Sequence, residues 1–147
     1  MNLTKNAIVE GEITGYASDG MGVCRLEGQV VFVAQGVRGD KCRLRVVKAL
    51  KNKAYARIEA LLEPSPHRQT PACPVFPKCG GCDFWHMRYE EELFYKRRRV
   101  MDALERLAGV PLPQLEITGG CRQSYRNKAI YPCAMGEKGP VAGFYRS

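Results

Sequence analysis

Three thiols fall within ten residues, Cys73-Pro74-Val75-Phe76-Pro77-Lys78-Cys79-Gly80-Gly81-Cys82, and a fold built around such a stretch has to give those sulfurs a task. Thiolates are soft donors that favour iron–sulfur clusters or zinc, and both usually take four protein ligands from sulfur or imidazole. This stretch supplies three. Gly80 and Gly81 remove side-chain bulk between two of the sulfurs, so the backbone can curl and bring its amides close to a metal-bound group. The alternatives are a disulfide pair with a spare thiol, or cysteines buried as small hydrophobes; the spacing favours a metal over both.

The whole chain is 147 residues long, which suits one domain or two small ones. Its formal charge of +8 points to a polyanionic partner, with RNA, DNA and anionic lipid all admissible on charge alone. Seven cysteines behind an N-terminus that lacks signal-peptide character argue for a reducing, cytoplasmic setting rather than a secreted disulfide framework. No apolar run approaches membrane-spanning length, and no obligate protein partner is evident.

Residues 7–62 alternate short strand-like runs with turn residues, the pattern of a small barrel or sandwich. Ile8, Ile13 and Tyr16 mark a first strand. Asp19-Gly20-Met21-Gly22 turns into Val23-Cys24-Arg25-Leu26, and Glu27-Gly28 reverses tightly into residues 29–34. Residues 41–48 alternate with period two, which makes one face of that strand basic, and Lys51-Asn52-Lys53 leads into residues 54–62. Five strands so arranged suit an OB-like barrel. Arg25, Arg38, Lys41, Arg43, Arg45, Lys48, Lys51 and Lys53 then offer cations to phosphates, while Tyr16, Phe32 and Tyr55 are candidates for stacking on bases; core packing is the preferred reading of Phe32.

Glu63 to Ala72 contains prolines and polar spacers and reads as an extended tether, outside the barrel and not helical. Beyond Cys82, the bulk of Phe84, Trp85 and Met87 suits shielding of a cluster from water. His86 reads as a solvated or core histidine in preference to the fourth ligand of a Cys3His zinc site. Leu93, Val100, Met101, Leu104, Leu107 and Ala108 recur at helical spacing from Tyr89 onward, predicting an amphipathic helix. Glu90, Glu91 and Glu92 open it, Lys96-Arg97-Arg98-Arg99 form a basic belt, and Gly109 closes it ahead of Pro111 and Pro113. Some of that belt must pair with Glu92 or Glu105, leaving the rest to solvent or RNA. Residues 125–132 and 141–145 read as the two arms of a hairpin around a loop rich in glycine and charge. Pro132-Cys133 lacks an activating partner for a nucleophile, and Gly119-Gly120-Cys121 lacks the strand–turn–helix context of a cofactor loop; Cys121 and Cys133 remain fallback fourth ligands.

The arrangement Cys-x5-Cys-Gly-Gly-Cys, preceded by Ser65-Pro66-His67-Arg68 and followed by Trp85-His86-Met87-Arg88-Tyr89, resembles the uracil-5 RNA methyltransferases. Asp19-Gly20-x-Gly22-Val23, Val31-Phe32-Val33, Gly39-Asp40 and Ser65-Pro66 are similar to their TRAM domain, and Tyr125-Arg126-Asn127-Lys128 and Gly143-Phe144-Tyr145-Arg146 to the strands that open their central domain. The resemblance implies a TRAM barrel over 1–63, a linker over 64–72 and a cluster segment over 73–89. Over 90–147 it implies a helix and the start of a central domain, interrupted at Ser147, with the catalytic domain absent. It further implies a [4Fe-4S] cluster on Cys73, Cys79 and Cys82, with a fourth cysteine expected past Ser147. On charge, Arg38, Lys41, Arg43, Arg45, Lys48, Lys51 and Lys53 are the candidate RNA contacts of the barrel, and the resemblance implies that Arg126 and Lys128 lie near the target RNA.

Members of that family transfer a methyl group from S-adenosylmethionine to a uridine of ribosomal or transfer RNA, through a catalytic cysteine that adds to the ring. None of those catalytic residues, and no S-adenosylmethionine site, maps onto this chain, so the segment alone is expected to be inactive. The competing reading is a free-standing RNA-binding protein with structural zinc. A methylthiolation-type enzyme is less fitting, because its cluster spacing is Cys-x3-Cys-x2-Cys.

Overall fold

The computed structural model describes residues 3–111 and 114–146; Met1, Asn2, Pro113 and Ser147, which the sequence reading touched, lie outside them. The chain is mainly β, with one curled sheet, one helix and a C-terminal hairpin. Its strands are β1 (Ile8–Glu12), β2 (Gly15–Tyr16), β3 (Gly22–Leu26), β4 (Gln29–Ala34), β5 (Lys41–Ala49) and β6 (Lys53–Glu63), followed by α1 (Tyr89–Leu107), β7 (Cys133–Gly136) and β8 (Gly139–Ala142).

The first six strands form one sheet in the order β1-β5-β6-β4-β3-β2, antiparallel throughout except where β4 runs parallel to β6. This is six strands curled into a half-barrel, where the sequence suggested five. The difference lies at Ile13. Its side chain is fully buried and its amide carries the β1–β5 pairing one residue further, onto the Asp40 carbonyl at 2.9 Å, but the next amide, Thr14, donates to Val23 of β3 at 2.8 Å, so the chain changes partner strand there. The single first strand expected from Ile8, Ile13 and Tyr16 therefore splits in two. Register shifts between β5 and β6 break the ladder at three points, and such bulges bend a strand and increase its twist.

Alternation along the strands fills the interior. Val31 and Val33 of β4, Cys42, Leu44 and Val46 of β5, and Ala54 and Ala56 of β6 pack with Ile13 and Cys24. Burial pushes the thiols of Cys24 and Cys42 up to about 11, so these two cysteines are inert core hydrophobes. Phe32 does not join them. It lies on the opposite face of β4, half exposed, with its ring 5.3 Å from that of Tyr55, because a side chain between Val31 and Val33 must point away from the core they fill. The Glu27-Gly28 reversal has φ of +50° and +80°, the positive pair that matches a two-residue hairpin to strand twist.

The stretch after β6 is docked rather than free. Ser65 N–H donates to Asp40 Oδ1 at 2.9 Å, and Arg68 donates to both oxygens of that fully buried carboxylate and to the Gln35 carbonyl. Arg68 also bridges backbone to Met87, whose side chain is completely buried, so the segment before the cysteines and the segment after them lie side by side.

Helix α1 starts and ends where the sequence places it. Glu90, Glu91 and Glu92 occupy the first turn, and Gly109, with φ +65°, lets the Val110 amide reach the Leu104 carbonyl at 3.1 Å. The face it buries differs from the apolar stripe. Glu91 and Tyr95 are its buried residues, whereas Val100 and Leu107 are exposed. Docking therefore runs through a polar and aromatic contact in the first two turns. The C-terminal hairpin differs from the one expected: residues 125–132 form no strand, and β7 and β8 instead pair tightly around Glu137-Lys138, inside the stretch that the sequence suggested as the loop.

Candidate functional site

The cysteine loop stands against the last described residues of the chain. Gly80 N–H donates to the Tyr145 carbonyl at 3.0 Å, and Cys79 forms a backbone bridge with Arg146. A Cβ on Gly81 would lie 3.1 Å from the Phe144 ring and 3.4 Å from Cys79 Sγ, so the glycine lets the loop close on both. Cys73 and Cys79 are half-buried and Cys82 is exposed. Cys73 and Cys82 line one open cavity of about 430 Å³ with Gly81, Trp85, Arg122 and Arg126. As placed, no group of three His, Cys, Asp or Glu side chains among the described residues converges on a single ion.

Cys121 is exposed and lines an adjoining cleft with Trp85 and Arg122, while Cys133 lies in β7 with its thiol 3.6 Å from the Tyr131 carbonyl. His86 lies in the core of this region. It is buried against Phe76, with ring centroids 5.7 Å apart, and burial followed by the nearby Arg68 charge lowers its pKa to about 4. It is a neutral core imidazole.

Arg122 joins the walls of both cavities. Its guanidinium sits 4.8 Å from the centre of the Trp85 ring and 5.3 Å from that of Tyr89, and it donates to the Met87 carbonyl and to Glu92 at 3.3 Å. The sequence carried no local sign of this residue, because those last two partners lie 35 and 30 positions away.

The basic candidates divide into bound and open cations. Arg38 is committed to Glu91, donating from Nε and Nη2 at 2.9 Å each, and lies over the Phe94 ring at 4.4 Å. Burial works to raise the Glu91 pKa, but the Arg38 and Tyr16 hydrogen bonds, with the Arg38 and His67 charges, hold it below the usual carboxylate value. The Tyr16 hydroxyl donates to Glu91 at 2.8 Å and accepts from the Arg38 amide at 2.9 Å; its pKa is raised, burial being the main cause.

Along β5 the basic face is largely neutralised. Lys41 pairs with Glu63, Arg43 with Glu10 and Arg45 with Glu59. Lys48, Lys51 and Lys53 are exposed; Lys53 sits 5.8 Å from the Tyr55 ring centre, and neither Lys48 nor Lys51 has an ion pair among the described residues. Arg126 stacks on its neighbour Tyr125 at 5.7 Å, and Lys128 is exposed. In the helical belt, Lys96 pairs with Glu92 and Arg98 with Asp102.

No family model matches the chain. No helix among the described residues is long and apolar enough to cross a membrane. Comparison with curated proteins finds relatives along nearly its whole length. It is 37% identical over 146 residues to an uncharacterized RNA methyltransferase of Halalkalibacterium halodurans, a match covering 98% of this chain and 32% of that protein. An uncharacterized RNA methyltransferase of Synechocystis is 39% identical over 145 residues, covering 97% of this chain and 31% of the relative. One from Porphyromonas gingivalis is 40% identical over 119 residues, covering 80% of this chain and 26% of the relative. The chain spans about a third of the length of the first of these relatives and, across almost all of its own residues, is homologous to part of these RNA methyltransferases.

Proposed function

We propose that this chain is the RNA-binding, [4Fe-4S]-carrying portion of an RNA methyltransferase that moves a methyl group from S-adenosylmethionine to C5 of a uridine in ribosomal or transfer RNA. The observation that carries the reading is the cysteine loop within a chain homologous to RNA methyltransferases. Its donor chemistry suits a cluster: three thiols on one loop, with Arg122 and Arg126 lining the same cavity as Cys73 and Cys82 and supplying positive charge beside an anionic group.

Cys73, Cys79 and Cys82 would hold the cluster, and a fourth ligand would come from elsewhere in the full enzyme. When bound, the cluster would supply a rigid, redox-capable core joining the loop to the elements around it. The chain's own residues position that core. Arg68 and Asp40 fix the segment leading into the loop, Met87 anchors the segment leaving it, and the bond from Gly80 to Tyr145 holds its tip. Exposed cations then meet phosphate and fix the orientation of RNA, without reading sequence.

The test is metal and sulfide analysis of anaerobically purified protein, with Cys73, Cys79 and Cys82 replaced by serine in a parallel sample. Iron and acid-labile sulfide in the parent, lost together with the brown colour in the triple variant, are expected. Stoichiometric zinc without iron would replace this reading with a structural zinc site.

A further inference from the structure

Between β2 and the middle and last turns of α1, on the side where Tyr95 docks the helix, runs a cleft of about 940 Å³, at the upper end of the roughly 300–1,000 Å³ typical of ligand sites. Its walls carry four arginines, Arg38, Arg98, Arg99 and Arg106, against one carboxylate, Asp102. Arg38 is spent on Glu91 and Arg98 on Asp102, whereas Arg99, whose side chain meets the Tyr95 hydroxyl, and Arg106 are exposed and have no ion pair among the described residues. Two half-exposed aromatic rings, Phe32 and Phe94, also line the cleft. Phe32 comes from the outer face of β4 and Phe94 from α1, so the pairing of cations with rings exists only in the folded chain.

We propose that this cleft is the path of a single RNA strand, with Arg99 and Arg106 on its phosphates and Phe32 and Phe94 against its bases. The proposal rests on the RNA-binding reading above and relocates the contact from β5, where glutamates already neutralise Lys41, Arg43 and Arg45, to the helix. Three observations agree with an unpaired strand. The excess charge is cationic; the rings are flat apolar surfaces that suit any base; and the cations are arginines, whose planar groups stack as well as pair. An acidic peptide would satisfy the arginines without calling on the ring faces that Arg38 and Tyr55 leave open on Phe94 and Phe32.

The experiment is fluorescence anisotropy of the whole chain with a fluorescein-labelled oligouridylate of about 12 nucleotides, repeated across a salt series. Two lost phosphate contacts lower the salt slope by about 1.4 for a single strand, so the Arg99→Gln/Arg106→Gln double variant is expected to bind about tenfold more weakly with a slope reduced by that amount. Phe32→Leu, which preserves bulk without a ring, should weaken binding severalfold and leave the slope unchanged. Lys5→Gln/Lys138→Gln, which removes two exposed lysines outside both the cleft and the candidate RNA contacts, serves as the control that changes little. Circular dichroism melts confirm that each variant is folded before it is scored.

A parent that binds no oligouridylate overturns the RNA-binding reading itself. A parent that binds, while the double arginine variant retains full affinity, overturns only the cleft. Equal competition by polyglutamate would reassign the cleft to an acidic polypeptide.

Discussion

At the scale of single residues, the centre of the molecule is a carboxylate that the sequence presents as an ordinary helix-opening glutamate. Glu91 is 2% exposed and accepts from Arg38 and Tyr16, with His67 Nδ1 3.4 Å away, so it joins three regions of the chain that the sequence keeps apart. Its folded pKa is lowered from 4.5. A depressed carboxylate contributes stability that is fully present above the unfolded value and is lost as pH falls through the folded one. Acid unfolding should therefore draw on Glu91 from about pH 4.5 downward. Glu91→Gln is expected to cost about 1–3 kcal/mol at neutral pH by leaving Arg38 without its counter-charge, and to flatten the decline below that pH; urea titrations from pH 7 to pH 3 measure both. A variant that declined with pH as steeply as the parent would show that other carboxylates govern acid unfolding.

At the scale of elements, what the sequence made legible follows from periodicity. Period-two alternation marked β5, the Glu27-Gly28 reversal marked the hairpin into β4, and the acidic first turn and Gly109 bounded α1. What stayed hidden depends on partners distant along the chain. Nothing local to Arg43 or Arg45 announces Glu10 or Glu59 across the ladder, so a strand that reads as basic is close to neutral in the fold. The docking face of α1 was hidden for the same reason: Tyr95 packs edge-on to Tyr16 at 5.5 Å and lies 5.1 Å from Phe84, and its hydroxyl donates to the Ser18 carbonyl.

That contact explains Gly20. Its φ is +90°, and a Cβ there would stand 2.5 Å from the Phe84 ring. Gly20→Ala should cost about 1–3 kcal/mol for the overpacking, on top of the left-handed backbone penalty of about 1 kcal/mol. Gly28→Ala, at φ +80° with no atom within 4 Å, should show only the second part. Comparing their urea midpoints separates packing from backbone conformation. Equal destabilisation would mean that the turn does not press on the helix-bearing segment.

At the scale of the whole molecule, the curled sheet, the docked segment and the helix are fastened at Asp40 and Glu91, both buried and both bonded to arginines. The C-terminal part is different in character, with Tyr125, Ile130, Tyr131, Met135 and Tyr145 exposed; Arg122 ties its start to Trp85 and α1, and its last described residues meet the rest at a seam on the cysteine loop. That seam sets an order of events during synthesis. The tip of the loop emerges from the ribosome well before Tyr145 and Arg146 do, so its final shape must wait for a stretch of chain not yet made. In protein ending at Gly143, the Gly80 amide loses its acceptor and should exchange with solvent about tenfold faster or more, as local opening becomes easier. Unchanged protection would mean that the loop sets its own shape; faster exchange would mean that this region matures only once the nascent polypeptide has doubled back on itself.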